Sequence, residues 1–191
     1  MISKLIRRYE VGTAPMTQMP DKRRLLPFMV LCLLGFVTTA RADFVYVLNS
    51  TDPSIVKIDS RTGEEVIRIE SLREVHHLVL APGGKELLIA DSAANEILFV
   101  EPGSGTVLRR ERISNPYHLD FSPDGRLLVI ASLRRGQVDI YDANGLKLLE
   151  RMRAGNKPSH IAFSPDSRFA FVTIQGDGTV IAIDLQERRI V

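Results

Sequence analysis

His118-Leu-Asp-Phe-Ser-Pro-Asp-Gly-Arg126 is the stretch of sequence that decides the fold, because a close copy stands on either side of it. The preceding copy, His-Leu-Val-Leu-Ala-Pro-Gly-Gly-Lys, begins at His77, and the following copy, His-Ile-Ala-Phe-Ser-Pro-Asp-Ser-Arg, begins at His160. The three histidines are 41 and 42 residues apart. A fixed period of about 40 residues is typical of repeat proteins, in which each unit buries its apolar faces only against neighbouring units.

A second marker keeps the same period. Each unit contains a short apolar segment that ends in an acid, and these acids are 42, 41 and 42 residues apart: Asp59, Glu101, Asp142 and Asp184. Two markers that hold the same period, one through three units and the other through four, are not explained by chance. Each acid precedes a turn and lacks the ligand spacing of a calcium loop, so we expect it to cap the turn.

One unit reads as four short strands that are separated by turns. Pro123-Asp124-Gly125 has the chemistry of a tight turn, and Asn144-Gly145 is a strong hairpin signal. Glycine, proline or Asn-Gly interrupts the chain about every dozen residues, which excludes long helices. The predicted strands cover residues 117–122, 126–132, 137–142 and 146–153. Four antiparallel strands in about 40 residues predict an all-β fold, a β-propeller built from four-stranded blades.

The units predict about three and a half blades. Their expected bounds are residues 43–70, 75–113, 116–153 and 159–191. The first unit lacks an innermost strand and the last ends inside its outer strand, whereas closed propellers hold about 4 to 8 blades. We therefore expect an incomplete ring from a truncated chain, and the alternative is self-association of two chains to complete the ring. The isolated chain is expected to be marginally stable or to aggregate.

The repeat resembles the YVTN-type β-propeller repeat of YncE-like and surface-layer-like periplasmic proteins. The resemblance rests on Phe44-Val-Tyr-Val-Leu-Asn49, Pro158-Ser-His-Ile-Ala-Phe-Ser-Pro-Asp166 and Gly178-Thr-Val-Ile-Ala-Ile-Asp184. It weakens at Phe171-Val-Thr-Ile174 and at Ser167, which stands in place of the turn glycine. Because this repeat serves many functions, the resemblance implies the fold and a binding or scaffold role rather than one activity.

Residues 1–42 are predicted to be a cleavable signal peptide. A basic cluster, Lys22-Arg23-Arg24, precedes a mostly apolar run of 15 residues at 25–39, and Ala40-Arg41-Ala42 supplies small residues for cleavage near Ala42. The run is shorter than the roughly 20 residues that span a bilayer, so no stable membrane span is expected after cleavage. An uncleaved anchor is the alternative, and Met19 is an alternative start. The predicted location is periplasmic or secreted.

Charge and cysteine content narrow the classes of partner. The chain has 25 Lys and Arg against 23 Asp and Glu, a net charge of +2. Residues 1–42 hold seven of those bases and two of those acids, so the remaining 149 residues carry 18 − 21 = −3. Nucleic acid is therefore not an expected partner. Cys32 is the one cysteine and lies in the predicted leader, which leaves the rest of the chain without thiol chemistry.

His77, His118 and His160 are the candidate cofactor-binding residues. They occupy the same position in three blades, where the innermost strand begins, so we expect an arc around one mouth of the central channel. In one interpretation they bind haem or a metal, and this arrangement resembles the haem propeller of cytochrome-type nitrite reductases. In the other, each caps a turn within its own blade. The chain has no Cys-x-x-Cys-His motif, so covalent c-type haem is excluded.

No catalytic residues are predicted, and the expected partner is a protein or small molecule at the channel mouth. The chain lacks Gly-x-Ser-x-Gly, His-Glu-x-x-His and phosphate-loop motifs, which disfavours an enzyme. The second alternative is a hydrolase, because lactonase-type propellers carry a similar His-x-x-x-Ser-Pro-Asp turn. His118 and Asp120 share a strand face and would be its acid–base pair.

Arginines recur on the predicted outer strands. They are Arg68, Arg109, Arg110, Arg112, Arg151, Arg153, Arg188 and Arg189. They form either a basic rim for an anionic polymer or a charged guard that prevents strand addition at exposed edges. Glu111, Glu150 and Glu187 are interleaved with them, which favours edge protection.

Overall fold

The computed structural model describes residues 43–70 and 72–191, and these residues belong to one compact unit. The predicted signal peptide, with Met19, Cys32 and the cleavage site, lies outside the described residues. Over the described ranges, no helix has the length and apolar character needed to cross a membrane.

Four antiparallel sheets follow one another along the chain, as the repeat predicts. Blade 1 contains β1 (Phe44–Asn49), β2 (Ser54–Asp59) and β3 (Glu65–Ile69). Blade 2 contains β4 (Val75–Leu80), β5 (Leu87–Asp91), β6 (Glu96–Val100) and β7 (Val107–Arg112). Blade 3 contains β8 (His118–Phe121), β9 (Leu127–Ser132), β10 (Gln137–Asp142) and β11 (Leu148–Arg153), with a short 3-10 helix at Leu133–Arg135. Blade 4 contains β12 (Pro158–Phe163), β13 (Phe169–Ile174), β14 (Thr179–Asp184) and β15 (Arg189–Ile190).

The sheets form a partial propeller, and the predicted three strands of the first blade are confirmed among the described residues. Consecutive strands pair in every blade, and β8 contacts both β4 and β12 at the hub. The pairing of the two outermost strands shifts register at one repeat position in blades 1 to 3, after Lys57, Phe99 and Ile140. A bulge at this position adds local twist to each blade.

Each junction between blades has its own apolar core, which explains why the middle strands are apolar in runs. In β5, Leu87 and Ile89 pack against blade 1, whereas Leu88 and Ala90 pack against blade 3. Because successive side chains point to opposite faces of a strand, an uninterrupted apolar run buries both faces of a blade. The strands of blade 3 repeat this arrangement between blades 2 and 4.

The Ser-Pro-Asp turns and the acid markers are structural, as predicted. The Ser122 hydroxyl donates to Asp124 Oδ1 at 2.6 Å, and this hydrogen bond is the main reason that the pKa of Asp124 falls to about 2. Ser167 adopts the left-handed conformation of the glycine that it replaces, with φ of 60°, and its hydroxyl accepts the Asp124 amide at 3.0 Å. The four marker acids accept backbone amides of the following turns: Asp59, Glu101, Asp142 and Asp184.

The outer-strand arginines are largely balanced by acids of their own blades. Their ion pairs join Arg68 to Glu65, Arg109 to Glu86, Arg110 to Glu96, Arg151 to Asp139 and Arg189 to Glu187. A side chain that is already paired offers less charge to an anionic polymer. These contacts therefore favour the edge-protection interpretation over a basic rim.

Two repeat-equivalent glycines give a controlled test of packing between blades 1 and 2. Gly63 and Gly105 both have φ of +73°, but a Cβ at Gly105 would lie 2.8 Å from Ile67 Cδ1, whereas one at Gly63 meets nothing within 4 Å. We expect Gly63→Ala to lower the free energy of unfolding by about 1 kcal/mol through backbone strain. Gly105→Ala should lose about 1 kcal/mol more because Ile67 must move. Urea unfolding measures both, and equal losses would show that the contact is unimportant.

Candidate functional site

The structure brings the three predicted histidines into one cluster at the hub. The His77 and His118 rings stack with centroids 3.8 Å apart and planes at 29°, and the His160 ring meets His118 edge-on at 5.2 Å. Each ring comes from the innermost strand of a different blade. The predicted arc therefore exists, and its members touch one another rather than standing apart around the channel.

Tyr117 and His76 extend the cluster, and sequence reasoning missed both. The Tyr117 ring lies 4.4 Å from the His76 ring and 6.2 Å from the His160 ring. We call His76, His77, Tyr117, His118 and His160 the hub cluster. The available signal was the pairing of His76-His77 with Tyr117-His118 at one repeat spacing, which places two adjacent aromatic rows on neighbouring blades.

Glu74 and Arg134 flank the hub cluster. The Glu74 carboxylate accepts Arg134 Nη2 at 2.5 Å and lies 3.1 Å from His76 Nε2. Although burial opposes it, the hydrogen bonds from Arg134 and His76 leave the pKa of Glu74 lowered. The cluster thus has a charged, hydrogen-bonded border on the side of blade 2.

His118 contacts both His77 and His160, and it is the only one of the three that is buried. It is 8% exposed, and its buried Nδ1 has no hydrogen-bond partner in the described part of the chain. Burial, followed by the neighbouring His77 and His160, lowers the pKa of His118 to about 3. Burial also lowers the pKa of His77, although Asp120 partly opposes the shift. Both imidazoles are therefore neutral at pH 7.

This burial predicts a loss of stability in mild acid. The unfolded chain binds a proton at His118 near pH 6.5, whereas the folded chain binds it only near pH 3. The stabilisation is therefore complete above pH 6.5 and is lost as the pH falls, by up to about 1.4 kcal/mol per pH unit for one proton. Urea unfolding between pH 6.5 and about 5.5, a range in which ordinary carboxylates stay ionised, measures this slope.

His118→Phe is the matched variant, because phenylalanine keeps a planar ring and removes the titrating nitrogens. We expect the acid slope of the variant to be reduced to the smaller share that His77 contributes. An unchanged slope in His118→Phe would contradict the assignment of the acid sensitivity to this residue.

The geometry gives no support to a metal or haem site. A metal lies in the plane of each imidazole that binds it, and stacked rings present their faces instead. The described residues contain no group of three His, Cys, Asp or Glu side chains placed to hold a metal ion. The three histidines also lack side-chain hydrogen bonds in the described ranges, so turn capping by these rings is not observed either.

The proposed hydrolase pair is not formed. Asp120 Oδ1 accepts the backbone amide of Phe121 at 2.8 Å, and His118 has no hydrogen bond to that carboxylate in residues 43–70 and 72–191. Paired catalytic groups act within hydrogen-bond reach of one another, about 2.6–3.2 Å. The structure therefore does not assemble the acid–base pair that the alternative requires.

Comparison with solved structures agrees with the fold. The hydrazine synthase of Kuenenia stuttgartiensis is similar, with a TM-score of 0.69 and 17% sequence identity, over 78% of this chain and 44% of that chain. This chain thus spans less than half the length of that structure, and identity at this level shows the fold alone. No curated protein sequence matches the chain.

The family assignment comes from a family model. The model described as YNCE-like beta-propeller matches residues 29–191, which include every strand of the four blades. Both the repeat period and the observed sheets agree with that match. The chain belongs to the YNCE-like β-propeller family.

Proposed function

We propose that this chain is an exported binding module that takes its ligand at the hub cluster. The observation that carries the proposal is the convergence of all four histidines of the chain, with Tyr117, on one surface at the hub. The fold does not use the ring nitrogens of His77, His118 or His160 for hydrogen bonds within the described residues. A fold that needed His118 only for structure would pair its buried Nδ1, which has no partner among the described residues.

The ligand class follows from the chemistry of this surface. His160 is exposed and Tyr117 is half-buried, so an incoming group can reach both side chains. Imidazole nitrogens form single hydrogen bonds, and the neutral His77 and His118 rings add no net charge to the cluster. Aromatic rings also favour offset or edge-on contact with another ring. A planar aromatic group, on a small molecule or on a partner protein, fits these properties best.

Imidazole NMR tests this proposal directly, because every histidine signal of the chain reports on the hub cluster. We expect indole, used as a planar aromatic probe, to shift the His160 ring resonances first and to do so saturably. Tyr117→Ala should weaken that binding several-fold, whereas Arg153→Ala on the outer strand should leave it unchanged. Unchanged histidine resonances at high indole concentration would count against a ligand site at the hub.

The export part of the proposal has separate support and a separate test. Residues 22–42 combine a basic cluster, an apolar run and a small-residue cleavage motif. We expect chain recovered from the cell envelope to begin at Asp43. Amino-terminal sequencing measures this, and recovery of the unprocessed chain from the cytoplasm would contradict export while leaving the hub proposal intact.

A further inference from the structure

Repeat-equivalent positions show what the exposed face of blade 4 is built to contact. The side chains that point from one blade to the next include Leu88 of blade 2 and Val129 of blade 3, and both are buried at a junction. The equivalent residue of blade 4 is Phe171, which is 41% exposed. Val138 of blade 3 is likewise buried at a junction, whereas its equivalent in blade 4, Val180, is 62% exposed.

Blade 1 carries the opposite face. Leu87 of blade 2 and Leu128 of blade 3 point back to the preceding blade. Leu87 is buried at the junction with blade 1, and Leu128 is buried at the junction with blade 2. The equivalent residue of blade 1 is Val45, which is 48% exposed. Val47 is equivalent to Ile89 and is 37% exposed.

These two exposed faces are therefore the two halves of a blade junction. Three such junctions already exist in the chain, and each joins a forward face like that of Phe171 to a backward face like that of Val45. A second copy supplies both halves in the correct register. It also carries no charged residue at the equivalent positions, Phe171, Val180, Val45 and Val47, that would oppose contact.

We propose that two copies of this chain close a ring, with blade 4 of each copy packed on blade 1 of the other. Four sheets from each copy make eight, which lies within the range of closed propellers. Two identical junctions related by a two-fold axis leave neither face exposed and end the assembly at two chains. The ring would also enclose the hub cluster in a complete channel, although the proposal does not depend on a ligand there.

Sedimentation and light scattering of the full chain test this inference. We expect a dimer at micromolar concentration. Phe171→Glu and Val45→Glu should each raise the dimer dissociation constant about 30-fold or more, because each places a charge in both junctions. Leu108→Glu is the matched control: Leu108 is 50% exposed on an internal blade, and this change should leave the dimer intact.

Mixing the two variants separates loss of the interface from loss of the fold. Phe171→Glu keeps its backward face and Val45→Glu keeps its forward face, so an equimolar mixture retains one unaltered junction and should form a heterodimer that neither variant forms alone. A folded monomer of the unaltered chain, or open assemblies that grow with concentration, would overturn the proposed ring. Failure of indole binding in a confirmed dimer would affect only the hub proposal.

Discussion

Phe99→Ala is expected to lower the free energy of unfolding by about 3–5 kcal/mol. Phe99 is 2% exposed and packs in the core between blades 2 and 3, beside Leu119 and Leu128. The guanidinium carbon of Arg109 lies 3.6 Å from the centre of the Phe99 ring, a cation–π contact that adds about 0.5–1 kcal/mol. Urea unfolding followed by circular dichroism measures the loss.

The position of Phe99 also predicts how the variant unfolds. Stacked repeats depend on contacts with their nearest neighbours, so a weakened middle junction should uncouple blades 1 and 2 from blades 3 and 4. We expect the single transition of the native chain to separate into two. Leu108→Ala removes a side chain that is 50% exposed on the same blade and should cost less than about 1 kcal/mol. A Phe99 variant no weaker than this control would contradict the assigned core.

Arg151→Ala should also be strongly destabilising, with a loss of about 3 kcal/mol. The Asp139 side chain is fully buried, and its two oxygens accept Arg151 Nε at 2.9 Å and Arg151 Nη2 at 2.8 Å. Tyr141 also donates to this carboxylate at 3.3 Å, and burial followed by the Asp139 charge raises the pKa of Tyr141 to about 12. Removal of Arg151 leaves a buried carboxylate with no opposite charge.

Two further variants test whether loss of the Arg151–Asp139 ion pair causes the fall in stability. Arg153→Ala removes an exposed arginine from the same strand and should change the free energy of unfolding by no more than about 0.5 kcal/mol. Arg151→Lys keeps the positive charge but loses the two parallel hydrogen bonds, so its loss should be intermediate. If Arg151→Ala and Arg153→Ala had equal effects at neutral pH, the pair would have no role in stability.

The strands were predictable because their signals are local. The predicted strand at 137–142 matches β10 residue for residue, and the others in that unit agree within two residues at each end. Turn chemistry sets these boundaries, since proline, glycine and Asp act within a few residues along the chain. The left-handed backbone at Ser167 was not predicted, because the Ser167 hydroxyl makes its contact with the preceding blade, at the Asp124 amide.

The sequence by itself determined the repeat period, the order of strands in each blade and the placement of His77, His118 and His160 at equivalent hub positions. Only the tertiary structure decided that these rings stack, that Asp139 is buried with Arg151, and that Lys57 is buried with its ammonium on the Gly103 carbonyl of the next blade. The physical reason is the distance along the chain between the residues that encode each feature. Period and turns are encoded within one unit, whereas these contacts join strands or units and depend on how closely the sheets pack and which side chains shield them from water.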